Sequence, residues 1–217
     1  MLSIIGNGVY TFSDAARLTR LKSTRVREWF RGNRHSPVFT SDYADGTQQP
    51  LISFMDLVEV FVAGQLRDNG ISLQTIRKVH SALKSEWKAD HPFSRQELCT
   101  SGRKVFYVGL NDTGRDEVRE VLSKQRVFPK IIEPFLTHLD YDLANSLALR
   151  WHIGKGVEVD PAICFGQPIV SQAKIPTHIL STAFVANGKQ VDVVADWYGV
   201  SKEDVQAAID FENKLAA

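Results

Sequence analysis

Phe12-Ser13-Asp14-Ala15-Ala16-Arg17-Leu18-Thr19-Arg20-Leu21-Lys22-Ser23-Thr24-Arg25-Val26-Arg27-Glu28-Trp29 reads as a helix, a tight turn and a second helix. The small Ala15 and Ala16 let the second helix cross the first closely, and Leu21 plugs the turn between them. Ser23 is placed to cap the second helix by accepting from its free N–H groups. The same pattern returns near the other end as Val193-Val194-Ala195-Asp196-Trp197-Tyr198-Gly199-Val200-Ser201-Lys202-Glu203-Asp204-Val205-Gln206-Ala207-Ala208-Ile209. Here Val200 is the plug and Ser201 the cap.

Charge separates the two copies. Residues 1–38 carry Arg17, Arg20, Lys22, Arg25, Arg27, Arg31 and Arg34 against only Asp14 and Glu28. Residues 151–217 carry five lysines against eight carboxylates, among them Glu203, Asp204, Asp210 and Glu212. A basic helical pair suits phosphate binding, because each neutralised phosphate releases a counterion. The acidic copy is repelled by a polyanion, so contact with a protein fits it better.

Working outward, Tyr10 to about Arg31 forms the first helical pair, with Thr11 or Ser13 as its cap. Gly32–Pro50, rich in turn residues and containing Asp45-Gly46, reads as a short hairpin or wing running into Leu51-Ile52-Ser53. Ser53 and Asp56 make a capping box for a helix presenting Phe54, Leu57, Val58, Phe61 and Leu66. Ser72 opens another helix, with Ile76, Val79, Leu83 and Trp87 on one face. From His91 the character changes. A short helix around Arg95–Leu98, a strand at Lys104–Val108 and a helical segment at Asp116–Gln125 are expected. Asp140–Trp151 stays ambiguous, since Leu143 and Leu147 have helical spacing while Leu147, Leu149 and Trp151 alternate. A strand at Val157–Val159 then leads through Phe165-Gly166-Gln167-Pro168-Ile169-Val170 to three helices, opening at Pro176–Thr177, Gln190 and Lys202.

The expected fold is mainly α: a winged helix-turn-helix domain over 1–90, a small connector with short strands over 91–152, and a three-helix unit over 153–217. At 217 residues the chain suits more than one domain. No apolar run is long enough for a membrane span and no signal sequence opens the chain, so a cytoplasmic location is expected. Cys99 and Cys164 have no partner at metal or disulfide-framework spacing and read as buried free thiols.

No catalytic constellation stands out. His35, His80, His91, His138, His152 and His178 form no H-x-x-x-H pair and no cluster with carboxylates at ligand spacing, so no metal site is expected. His80, beside an apolar stripe, reads as a packing residue. Asp140 and Asp142 share one side of an extended segment but lack a third ligand nearby. Nucleophile-elbow, Walker and dinucleotide signatures are missing, and neither enzymatic activity nor a cofactor is expected.

Tyr10-Thr11-Phe12, Ala16, Leu21, Val26-Arg27 with Trp29, and Asn69-Gly70-Ile71-Ser72-Leu73-Gln74-Thr75-Ile76 resemble the MerR family of winged DNA-binding domains over about residues 9–87. One departure is Arg20, where that family usually places Gly; an Arg in the left-handed region costs on the order of 1 kcal/mol. The resemblance implies that the second helix enters the major groove of operator DNA. Arg27 then holds backbone phosphate, Ser23, Thr24, Arg25 and Glu28 reach base edges, and Arg31 and Arg34 contact phosphate near the wing.

Val159-Asp160-Pro161, Phe165-Gly166-Gln167-Pro168-Ile169-Val170, Ala173-Lys174-Ile175-Pro176, Gly188 and Val194–Ala208 resemble a short trihelical domain of VapB-type antitoxins. Ser171-Gln172-Ala173-Lys174 departs from the commoner form, which tends to place a Gly and an Arg before Ile-Pro. This resemblance implies an antitoxin that silences a PIN-like ribonuclease toxin, represses its own operon and works as a homodimer or higher oligomer on the nucleoid. Gln172, Lys174 and Lys189 are its candidate partner-binding residues. The alternative is a MerR-like transcription regulator whose C-terminal part dimerises or senses a ligand.

Overall fold

The computed structural model describes residues 5–32, 36–43, 51–100 and 136–216. They divide into two compact units, Tyr10–Ala148 and Met1–Val9 with Leu149–Ala217. The stretch 91–152 is therefore shared between them: Leu149 onward belongs to the second unit, and the described residues before it to the first.

In the first unit β1 (Tyr10–Thr11) leads into α1 (Phe12–Thr19) and α2 (Ser23–Arg31). β2 (Leu51–Ile52) pairs antiparallel with β1, and α3 (Phe54–Asp68) and α4 (Leu73–Trp87) follow. A 3-10 turn at Pro92–Ser94, α5 (Glu97–Thr100) and β3 (Leu139–Tyr141) complete its described elements. Capping sets where these helices start. Thr11 Oγ1 accepts from Asp14 N–H at 3.1 Å while Asp14 accepts from Thr11 N–H, and Ser53 and Asp56 repeat the reciprocal pair. α3 is buried on almost every side, with Phe54, Leu57, Val58, Val60, Phe61, Val62, Ala63 and Leu66 all inside, so it is the central post of the unit. Gly64 marks where the helix-turn-helix sits on that post: a Cβ there would lie 2.9 Å from Leu21 Cδ1.

The wing expectation is redistributed. Leu51–Ile52 pairs with Tyr10–Thr11, and residues 36–43 contain no strand. Asp45-Gly46 falls outside the described residues, as do the strand expected at Lys104–Val108 and the helix expected at Asp116–Gln125.

The second unit is built on β4 (Ala148–Gly154), β5 (Val157–Val159) and β6 (Pro168–Val170), followed by α6 (Thr177–Ala186), α7 (Val191–Tyr198) and α8 (Lys202–Ala216). β5 is antiparallel to both neighbours, with Trp151 opposite Val159 and Glu158 opposite Ile169. Val170, Leu180, Val194, Ala195, Val205, Ala208 and Ile209 form the core between sheet and helices.

The fold is thus mixed α/β rather than mainly α, because β4, β5 and β6 form an antiparallel sheet in the second unit and β1 pairs with β2 in the first. The strand reading prevailed over the helical one at Ala148–Gly154, although Leu149, expected on the same face as Trp151, is exposed. Leu143 is exposed, whereas Trp151 is buried. Strands of three residues such as β5 and β6 carry too little periodicity to announce a sheet; their cross-strand pairing makes it. Cys164 is also exposed rather than buried; the Cys99 side chain falls outside the description.

The two helix-turn-helix copies share one backbone device. Arg20 turns at φ 58°, ψ 34° and Gly199 at φ 63°, ψ 37°. The plug residues then donate back alike, Leu21 N–H to Ala16 O at 2.9 Å and Val200 N–H to Ala195 O at 3.0 Å. Only the capping differs. Ser201 caps α8 by accepting from Asp204 N–H at 3.0 Å, whereas Ser23 is already inside α2 and Lys22, which offers no side-chain acceptor, stands at the cap. The expected capping role of Ser23 is therefore corrected. Because Arg20 holds a conformation that glycine adopts freely, Arg20→Gly is expected to stabilise the first unit by about 1 kcal/mol. A thermal midpoint at or below that of the unsubstituted chain would show that Arg20 bears no such strain.

Candidate nucleic-acid interface

α2 is anchored through one face and open on the other. Val26 and Trp29 are buried, and Trp29 packs edge-on to Phe39 with ring centroids 6.2 Å apart. With these two fixed, the helical period turns Ser23, Thr24, Arg27, Glu28 and Arg31 to solvent, with Arg25 partly exposed beside them. Arg17, Arg20 and Lys22 are exposed on the preceding helix and turn. Arg25 Nη1 lies 3.4 Å from Asp68 Oδ1, an exposed pair that restrains the guanidinium weakly. Arg27 pairs with no carboxylate among the described residues. Arg34 falls outside them.

The first turn of α2 has neither a side-chain cap nor an acidic residue. Its N–H groups and the positive end of the helix dipole favour an anion there. Six cations, free N–H groups and the short polar side chains of Ser23 and Thr24 give one face the means to hold phosphate and to hydrogen-bond base edges.

The same unit holds a part-buried polar cluster that sequence spacing conceals. Asp42 follows α2, Asp56 stands in the first turn of α3, and His91 follows α4. His91 Nε2 donates to Asp42 Oδ1 at 2.9 Å, and Ser53 Oγ donates to Asp42 Oδ2 at 2.6 Å. Asp56 Oδ2 accepts from the N–H groups of Ser53 and Asp42 at 3.0 and 3.1 Å. Close by, His80 Nε2 donates to Glu59 Oε2 at 2.8 Å, and Phe93 N–H donates to Glu59 Oε1 at 3.1 Å. Rings of Phe39 and Phe93 meet His80 edge-on, so it packs as expected but is also hydrogen-bonded to Glu59.

These surroundings displace the titrations. Burial disfavours the His91 imidazolium, but the Asp42 hydrogen bond and the charges of Glu59, Asp42 and Asp56 outweigh it and lift His91 to about 9. Burial and then the neighbouring Asp42 charge push Asp56 up to about 7. Burial also opposes ionisation of Asp42, yet its bonds from His91 and Ser53 hold it below the ordinary value. Sequence reasoning identified Asp56 only as a helix cap. No local pattern links residues 42, 56 and 91, and only the closure of three segments around α3 brings them together.

In the second unit, Gln172 and Lys189 are exposed. Lys174 is engaged, with Nζ 2.5 Å from Glu158 Oε1, and Arg150 Nε lies 3.5 Å from the same buried carboxylate. The two helix-turn-helix copies also differ in cover. Counting from their matched turns, Leu18 corresponds to Trp197 and Thr19 to Tyr198. Leu18 is 6% exposed and Trp197 69%. Thr19 is buried, and Tyr198 is exposed. Asp192 and Asp196 share that helix.

Residues 157–211 match a family model described as a protein of unknown function, DUF433. No curated protein matches the chain significantly. Among solved structures, the fold is similar to the X-ray structure of Rv2018 from Mycobacterium tuberculosis. The two are 22% identical, with a TM-score of 0.75 over 92% of this chain and 96% of that one. No helix of the described residues is long and apolar enough to cross a membrane.

Proposed function

We propose that this protein is a non-enzymatic antitoxin and autorepressor of the cytoplasm and nucleoid. Its first unit binds operator DNA through α2, and its second unit binds and silences a PIN-like ribonuclease. The open basic face of α2, anchored by Val26 and Trp29, is the observation that carries the reading. Buried anchors with outward Ser23, Thr24, Arg27, Glu28 and Arg31 are what a recognition helix needs in a major groove. A palindromic operator would pair naturally with a homodimer.

For the second unit, support comes from the contrast between the copies. The position that is buried Leu18 in the basic copy is the exposed Trp197 in the acidic one. An exposed indole beside an exposed tyrosine is the chemistry of a protein-binding hot spot. Gln172 and Lys189 remain available as polar contacts, whereas Lys174 is occupied by Glu158.

The test is co-expression of the full chain with a PIN-like protein encoded by an adjacent gene. Co-purification and restored growth are expected. Trp197→Ala should leave folding stability within about 0.5 kcal/mol yet weaken the complex by about 2 kcal/mol or more, roughly thirtyfold. Equal affinity for the two chains by calorimetry would remove this face from the interaction. A toxin that neither co-purifies nor is silenced would sink the antitoxin reading.

A further inference from the structure

Within the cluster, one buried contact is left unmade. Every other oxygen of Asp42, Asp56 and Glu59 has a hydrogen-bond partner, but Asp56 Oδ1 has none and neither does His91 Nδ1. These two atoms face each other at 3.9 Å, beyond hydrogen-bonding distance. The Asp56 side chain is 1% exposed, so water does not compensate its oxygen from outside. With Nε2–H held by Asp42, Nδ1 is the ring nitrogen left facing Asp56 Oδ1, and a metal ion entering there would take the place of its proton. Both atoms are potential metal donors, buried and unpartnered, in a space where carboxylates dominate.

We propose that Asp56 Oδ1 and His91 Nδ1 bind a divalent transition-metal ion, with Asp42 as the carboxylate that orients His91 through Nε2. Asp42, Asp56 and His91 bring possible ligand atoms within 4.8 Å of one another, and of these Asp56 Oδ1 and His91 Nδ1 are the two left without a hydrogen-bond partner. Bonds of about 2.1 Å to each donor require only that the pair close from 3.9 Å to roughly 3.4 Å for a tetrahedral ion. A carboxylate on the far nitrogen of a ligating histidine fixes the tautomer and strengthens the donor, which is the role Asp42 already has the geometry to fill. A mixed imidazole and carboxylate set favours zinc or manganese over magnesium or calcium. Such an ion would fasten the segment after α2, the start of α3 and the segment after α4 at one point. This site is independent of the proposed toxin and DNA contacts.

The experiment is metal binding by the full chain after chelator treatment, titrated separately with Zn²⁺, Mn²⁺ and Mg²⁺. One tightly bound equivalent of zinc per chain, or of manganese, is expected, with no saturable magnesium binding and a higher thermal midpoint in the loaded protein. Asp56→Asn keeps an oxygen for the Ser53 and Asp42 N–H groups, yet should abolish that equivalent, as should His91→Gln. Asp42→Asn should weaken binding about tenfold, and His178→Gln, at an exposed position of the other unit, should change nothing. Lack of a stoichiometric equivalent in the unsubstituted chain, or binding undiminished in Asp56→Asn and His91→Gln, overturns the site. If those variants do not fold, X-ray absorption of the zinc-loaded natural sequence decides. One imidazole with oxygen donors supports the site, and ligation by several histidines refutes it.

Discussion

Replacing Arg25 and Arg27 together with alanine is expected to weaken operator binding at least a hundredfold while leaving the first unit folded. The two arginines contribute differently. Arg27 is exposed and, as a phosphate contact, should reduce affinity for every sequence alike and lower the salt-dependence slope by about 1 when removed. Arg25, nearer the first turn and tethered to Asp68 at 3.4 Å, is the base contact in the proposed complex. Its loss should cost about 1–3 kcal/mol of discrimination and relax the preference at one base pair. The lost Arg25–Asp68 pair is an exposed contact worth less than about 1 kcal/mol, so circular dichroism and the unfolding midpoint should barely move. Fluorescence anisotropy with operator and scrambled duplexes at several salt concentrations reads all of this. Identical curves for the natural and doubly substituted chains would end the DNA assignment.

The largest stability effect belongs to Trp29. Its side chain is almost wholly buried, it meets Phe39 edge-on, and its carbonyl accepts from both Val38 and Phe39 N–H at 2.8 and 3.1 Å. Trp29→Ala removes the larger anchor of α2 and leaves a cavity between that helix and the segment that follows. A loss of about 3–5 kcal/mol is expected, a large share of the roughly 5–15 kcal/mol that holds a typical domain. Urea unfolding should show the midpoint of the first unit falling sharply, with DNA binding lost alongside. A change below about 1 kcal/mol would mean that the surrounding rings close the cavity and that Trp29 is no anchor.

Helix ends were the most legible part of the chain. Thr11, one of two candidates with Ser13, and Ser53 and Ser72 stand as caps, although Ser23 does not, since capping is a contact between near neighbours. The plugs Leu21 and Val200 and the two turns were equally local. What escaped was set by distant partners. The β4-β5-β6 sheet depends on cross-strand pairing of segments too short to show a period. Lys174, a candidate partner-binding residue by sequence, is claimed by Glu158, a buried carboxylate on β5. At α2 the exposed residues follow from helical phase once the structure shows Val26 and Trp29 buried. The Asp42, Asp56 and His91 cluster had no such phase to betray it.

The double acceptance at the Trp29 carbonyl has a mechanical consequence. The last turn of α2 is tied to Val38 and Phe39, Ser41 Oγ donates to Leu51 O at 2.6 Å, and Asp42 N–H is tied to Asp56. The helix, the segment after it and the start of α3 are therefore stitched at successive points into one stiff body with little freedom to adjust its curvature. In the proposed complex the duplex must do the yielding. Operators with easily kinked pyrimidine–purine steps between contact points would then be preferred over rigid A-tracts, a selectivity arising from elasticity at base pairs no side chain reaches.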